Sequence, residues 1–174
     1  MNTKNKNLKI AIAGLGFGKK VHLEALKESH YLTPVAIYHY EKSNKTILEK
    51  ETGLEFFHYW ENLVKSPEID GIIIATPPES RFKLAKQALE NNKNLLLEKP
   101  VSISSSEIEE LQRISLINNL SVCVDFEYRA VPLFLQTKKL INENILGDIY
   151  LVKLDWLMGS RSDPKRAWNW YSLE

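Results

Sequence analysis

Apolar runs of strand length recur along the first two thirds of the chain, with segments of helical spacing between them. The runs are Leu8–Ala13, Pro34–Tyr38, Glu55–His58, Ile69–Ala75, Asn94–Leu97 and Ser121–Phe126. Two of the stretches that hold them, "DGIIIATPP" and "KNLLLEKP", are apolar throughout instead of alternating. Strands read that way when helices cover both of their faces, which predicts a parallel sheet. The helical stripes are Val21, Leu23, Ala25 and Leu26, then Leu84, Ala85, Ala88 and Leu89, then Ile108, Leu111, Ile114 and Leu116/Ile117. Ser104, Ser105 and Ser106, with Glu107 and Glu109 behind them, mark a helix start. Hydroxyls cap the first turn there, and carboxylates lie near the positive end of the dipole. The alternation of strand and helix predicts an α/β fold, a Rossmann-type doubly wound parallel sheet.

After about Asp125 the pattern changes. A helix of about four turns is expected from near Pro132 to a stop at Gly147. "DIYLVKLDWLM" then sets Tyr150, Val152, Leu154 and Trp156 against Leu151, Lys153, Asp155 and Leu157. That period of two predicts a half-buried, antiparallel strand. From Gly159 onward turn formers, basic residues and aromatics follow without periodicity. The expectation is a dinucleotide-binding domain over 1–125 and the incomplete start of a second, α+β domain over 126–174. The apolar face of the last strand needs cover and its edge invites another chain, so self-association is expected.

With 174 residues, 44% hydrophobic and 26% charged, the composition is that of a soluble globular protein. A net charge of +1 gives no electrostatic reason to expect nucleic acid or an anionic membrane as partner. Lys4, Lys6 and Lys9 precede an apolar stretch that Gly14 interrupts, too short for a signal peptide or a membrane span. The single cysteine, Cys123, cannot form an internal disulfide, and a cytoplasmic address follows as the default. Its place in "SVCVDF" reads as buried packing.

The candidate chemistry begins at "KIAIAGLGFGKKVHLEAL", where Gly14, Gly16 and Gly18 follow a strand and precede a helix. In the dinucleotide fingerprint G-x-G-x-x-G, the first glycine permits a tight turn and the second lets backbone approach a pyrophosphate. The third lets helix pack close to strand. Here Lys19 stands at the third place. Lys19 and Lys20 lie at the unfavourable end of a helix dipole, which an anionic phosphate would offset. On the loop alone, a cofactor site and an ordinary glycine-rich turn both remain open. At the end of the second strand, His39 stands between Tyr38 and Tyr40, where NAD-specific folds carry a carboxylate for the ribose hydroxyls. With no carboxylate to repel a 2′-phosphate, NAD and NADP both remain possible. Ala75-Thr76-Pro77-Pro78 and Glu98-Lys99-Pro100 end the fourth and fifth strands on the edge where open α/β sheets bind ligands. A partly desolvated lysine there is suited to acid–base work.

Taken in order, "IAIAGLGFGKKVHLEAL", "SPEIDGIIIATPP", "LLLEKPVS", "FEYRAVPLF", "LGDIYLVKLDW" and "WNWY" resemble the N-terminal part of the Gfo/Idh/MocA oxidoreductases. The resemblance implies that the domain binds NAD or NADP and that Lys99 is catalytic, facing the nicotinamide and the reacting hydroxyl. The cofactor would lie along Gly14, Gly16, Phe17, Gly18 and Lys19, along His39 and Tyr40, and along Ala75, Thr76, Pro77, Glu98 and Lys99. No metal is expected. His22 belongs to the family's pattern and reads as a packing residue of its helix. Tyr128–Arg129 and the stretch 161–170 resemble segments that border a substrate cleft. The implied reaction is hydride transfer at a hydroxyl or carbonyl carbon of a small polyol, sugar or cyclitol. Three residues depart from the pattern: Lys19, His39, and Arg81 where the family often has histidine. Family members are also much longer, and their acid–base histidine lies beyond the region matched. The chain therefore reads as the cofactor-binding half of an oxidoreductase or, alternatively, as a truncated nucleotide-binding module without chemistry.

Overall fold

The computed structural model describes residues 7–42 and 45–157. Its six strands are β1 (Leu8–Ala13), β2 (Leu32–Tyr38), β3 (Glu55–Phe57), β4 (Gly71–Ile74), β5 (Asn94–Leu97) and β6 (Val122–Val124). They form one sheet in the order β3-β2-β1-β4-β5-β6, every pair parallel. The chain starts in the middle at β1, winds outward to β3, then crosses back to lay β4 against the other side of β1. This reversal between β1 and β4 opens a crevice at the carboxyl ends of the strands, the topological switch point of a Rossmann fold.

The uniform apolarity of the strands follows from their burial. Ala11, Ala13, Ile72, Ile74, Leu95 and Leu97 face one core. It is closed by α3 (Trp60–Lys65), α4 (Pro78–Glu90) and α5 (Ser105–Ile117) through Leu63, Ala85, Ala88, Leu89, Leu111 and Ile114. The alternate residues Ile10, Ile12, Ile37, Phe56 and Ile73 face a second core. That one is closed by α1 (Leu23–Lys27) and α2 (Lys45–Thr52) through Leu23, Leu26 and Leu48. Each fully buried Ile or Leu contributes about 1.5–3 kcal/mol relative to exposure. Of the helical stripes, Val21, Ala25, Ile108, Leu116 and Ile117 turn outward and stay exposed.

The boundaries differ from the sequence reading in ways that have causes. β2 begins at Leu32, two residues before Pro34, because a register shift between Ile10 and Ala11 accommodates the proline, which has no N–H to give the ladder. The outer ends of Ile69–Ala75 and Ser121–Phe126 lie outside the regular ladder. Helices α4 and α5 both end on an asparagine with positive φ, Asn92 at 60° and Asn119 at 53°. In each the N–H group that follows folds back on the last turn, Lys93 to Ala88 at 3.0 Å and Leu120 to Ser115 at 2.9 Å. Cys123 is exposed, not buried. It sits on the edge strand and points to the opposite side from Val122, and the helices on that side pack toward the β3 end of the sheet.

The chain divides into two compact units, Met1–Asp125 and Phe126–Glu174. In the second, a 3-10 turn (Glu127–Ala130) leads into α6 (Pro132–Asn142). The helix is shorter than the expected run to Gly147. Asn144 adopts φ 53°, and the Ile145 N–H reaches the Leu140 carbonyl at 3.1 Å, closing the helix there. The strand expected over Tyr150–Leu157 is not formed. Alternation makes a strand only where a neighbouring ladder takes its N–H and C=O groups, and no described residue pairs with it. No helix among the described residues is long and apolar enough to cross a membrane.

Candidate functional site

The loop after β1 is fixed by close approaches at two of its glycines. Gly14 has a φ of +113°, and a Cβ there would stand 2.5 Å from the carbonyl oxygen of Ala75 at the end of β4. A Cβ on Gly18 would meet Ile12 Cγ2 at 3.0 Å and the Ala75 Cβ at 3.3 Å. Gly18 therefore fills the close-packing role of the fingerprint's third glycine, one residue earlier than the pattern places it. Gly18–His22 winds as one π-helical turn, with the Leu23 N–H reaching the Gly18 carbonyl. Lys19 is thereby released to the surface side, where it pairs with Glu51 of α2.

Gly16 is different. Among the described residues a Cβ there meets no atom within 4 Å, and its φ lies outside the left-handed region. Neither packing nor backbone conformation asks for glycine at this position. Glycine leaves the backbone there open to a group brought against it, which is the role of the second glycine before a pyrophosphate. The residues present thus fit a dinucleotide at this loop.

On the other side of the switch point, Arg81 of α4 is 2% exposed and lends its guanidinium to two loops. Its Nη1 donates to the carbonyls of Glu98, at 2.5 Å, and of Pro100, while Nη2 donates to the carbonyl of Thr76. The loop after β4 and the loop after β5 are thus joined by one side chain. Glu98 points inward, its Oε1 2.9 Å from His22 Nε2 and its Oε2 accepting the Lys99 backbone N–H at 3.3 Å. Burial by itself pushes the Glu98 carboxyl up, but the hydrogen bond and charge of His22 and the N–H and ammonium of Lys99 outweigh it. The carboxyl is held below its ordinary range. Asp125, just past β6, places Oδ2 3.7 Å from the same His22 nitrogen. One atom from each of His22, Glu98 and Asp125 lies within 4.8 Å of the others, a spacing that could take a cation. The hydrogen bond between His22 and Glu98 already gives the cluster a purpose without one. Lys99 is half-buried between these anchors, and the Lys99–Pro100 peptide is cis.

At the end of β2 the His39 N–H donates to the Phe57 carbonyl at 3.1 Å. The Glu41 N–H donates to His39 Nδ1 at 3.2 Å, so the neutral ring carries its proton on Nε2 and presents a donor there. Tyr40 is exposed, its ring 4.5 Å from that of His39. Tyr38 turns back and packs edge-on against Trp60 at 4.9 Å, and burial pushes its phenol up. The Ser80 hydroxyl donates to Thr76 Oγ1 at 3.1 Å, and Pro77 caps the start of α4. Phe17 is exposed beside the glycine loop, its ring meeting His22 edge-on at 5.2 Å.

Gly14, Gly18, Ala75 and Thr76 are thus in direct juxtaposition, and Glu98 and Lys99 are tied to Thr76 through Arg81. His39 and Tyr40 stand at the neighbouring strand end, on the other side of β1. Tyr128 and Arg129 belong to the second unit, and the stretch 161–170 lies outside the described residues. Sequence reasoning missed the work of Arg81, His22 and Asp125. The signal for Arg81 was available: it shares the buried α4 stripe with Ala85 and Ala88, where an arginine needs buried acceptors.

Residues 8–126 match the Gfo/Idh/MocA family, described as an oxidoreductase family with an NAD-binding Rossmann fold. An uncharacterised oxidoreductase of Synechocystis is 39% identical over 171 residues, covering 98% of this chain and 46% of that protein. Glucose-6-phosphate 3-dehydrogenase of Bacillus subtilis is 29% identical, covering 91% of this chain and 45% of that protein. Scyllo-inositol dehydrogenase of Lactobacillus casei, solved with NAD(H) and scyllo-inositol, superposes with a TM-score of 0.76 at 25% identity. That match covers 82% of this chain and 43% of the other. The chain spans under half the length of these relatives.

Proposed function

The chain belongs to the oxidoreductase family with an NAD-binding Rossmann fold, and from there we propose that it binds a nicotinamide dinucleotide along the carboxyl edge of its sheet. The observation that carries this reading is Gly16, a glycine that no described residue requires, beside Gly14, which the Ala75 carbonyl does require, and Gly18, packed close on Ile12 and Ala75. The pyrophosphate would lie over Gly16 and the start of the π-helical turn, bordered by Phe17 and Lys19. The adenosine end would meet His39 and Tyr40, and the nicotinamide end would meet Ala75, Thr76, Pro77, Glu98 and Lys99.

The bound nicotinamide supplies a hydride acceptor or donor. This chain's own contribution is placement and proton handling. The Lys99 ammonium, held between Glu98 and Pro100, orients the reacting hydroxyl or carbonyl oxygen and stabilises negative charge on it. The His22–Glu98 pair keeps a fixed carboxylate beside that amine. A sugar- or cyclitol-like substrate is supported by the glucose-6-phosphate and scyllo-inositol dehydrogenases among the relatives. NADP is accepted at least as well as NAD, because His39 presents a donor where a carboxylate would repel a 2′-phosphate. A cytoplasmic place suits such metabolites and the single cysteine.

The second reading is a binding module without turnover, favoured by a glycine loop whose packing of Gly14 against Ala75 does not involve Lys99. The substrate wall and further acid–base groups of a whole oxidoreductase belong, on this view, to a second domain of which residues 126–174 are the start. Titration with NADH and with NADPH, followed by energy transfer from tryptophan to the nicotinamide, tests binding. Saturation with both, NADPH no weaker than NADH, is expected. No saturable signal with either up to millimolar concentration would overturn the proposal, and turnover of a polyol by this chain would exclude the module.

A further inference from the structure

Lys99 has no regular secondary structure to hold it, since β5 ends at Leu97. Its position depends on what fixes the short loop, and one side chain from another element holds that loop on both sides of Lys99. Arg81 donates from the same Nη1 to the carbonyls of Glu98 and Pro100, the residues on either side of Lys99, and from Nη2 to Thr76 in the adjoining loop. A guanidinium is planar, always charged and forked, so it can hold acceptors on two separate loops at once, which a lysine ammonium on a flexible stem does less rigidly. Arg81 is itself fixed, 2% exposed on a helix whose Ala85, Ala88 and Leu89 are fully buried.

We propose that Arg81 is a positioning residue that sets where Lys99 stands at the nicotinamide end of the cofactor. It acts through Lys99, not by touching the ligand. The inference rests on the reading that Lys99 faces the nicotinamide, and it adds the device that puts Lys99 there. The glycine loop and His39 are held by other contacts, namely Gly14 against Ala75, Gly18 against Ile12, and His39 to Phe57. Loss of Arg81 should therefore be felt at one end of the dinucleotide only.

The test measures NADH and ADP-ribose binding to the 174-residue chain and to Arg81→Met, Lys99→Ala and the double variant. ADP-ribose carries the adenosine and pyrophosphate but no nicotinamide. Arg81→Met is expected to weaken NADH about ten-fold and leave ADP-ribose within about two-fold, and to add nothing once Lys99 is alanine, as residues acting through one another are non-additive. Unchanged NADH binding, equal weakening of both ligands, or full additivity with Lys99→Ala would each overturn the proposal. If Arg81→Met does not fold, Arg81→Lys, which keeps the charge but loses the fork, is read by the same criteria. If the unsubstituted chain binds neither ligand, the dinucleotide reading itself falls and takes the proposal with it. Binding of both ligands with no selective loss removes only the role of Arg81.

Discussion

At the scale of single residues, the three loop glycines look alike in the sequence and do three different jobs. Gly14→Ala would force a Cβ to 2.5 Å from the Ala75 oxygen and hold alanine at φ +113°. A loss of about 2 kcal/mol or more in unfolding free energy is expected, and an unchanged urea midpoint would contradict the packing described. Glu98 makes a prediction about pH. Its folded value lies below the ordinary 4.5, so its contribution to stability is complete above that value and is lost as pH falls through the depressed one. Glu98→Gln should lower stability at pH 7 and make the decline below pH 4.5 shallower than in the unsubstituted protein. Parallel declines would mean that the His22–Glu98 pair does not stabilise the fold. These roles were only partly legible in the sequence. The glycine spacing located the loop, but which glycine packs and which stays open depends on Ala75, sixty residues away. Arg81 was visible as a departure from a pattern and as a charge on the buried stripe of α4, but what it binds was not, because its acceptors are backbone carbonyls, and carbonyls leave no mark in a sequence.

At the scale of elements, all six strands were legible, most plainly β4, where burial of every residue writes an unbroken apolar run. Their ends were less so, since a ladder stops where its neighbour stops, as at Val122–Val124 beside β5. The helix ends were hidden for another reason. "NN" after α4 and α5 and "NEN" after α6 carry the left-handed turn that a reader seeks at glycine. The alternating segment Tyr150–Trp156 was misread because a period of two records which face wants cover, not whether a partner strand is present. Its apolar side chains stay exposed, Tyr150 at 93% and Val152 at 76%. Self-association is therefore expected at tens of micromolar, and Tyr150→Lys with Val152→Lys should reduce it. Sedimentation velocity showing a clean monomer before substitution would contradict this.

At the scale of the whole molecule, the first unit places a glycine loop, a donor at the end of β2 and an anchored lysine along one edge of one sheet. The reversal of strand order between β1 and β4 makes that edge a crevice. The order was not readable from hydrophobic pattern alone, because six buried parallel strands fit several orders. The resemblance to a known family gave the doubly wound class, and the structure gives the order. On the proposed function the crevice takes a dinucleotide, and Gly16 is the most direct probe of it, since no described residue needs glycine there. Calorimetric titration with NADH should show saturable binding to the unsubstituted chain. Gly16→Val should leave the thermal midpoint within the small range usual for a surface change while weakening NADH at least about ten-fold. A Gly16→Val protein that stays folded and binds NADH as tightly as before would contradict the claim.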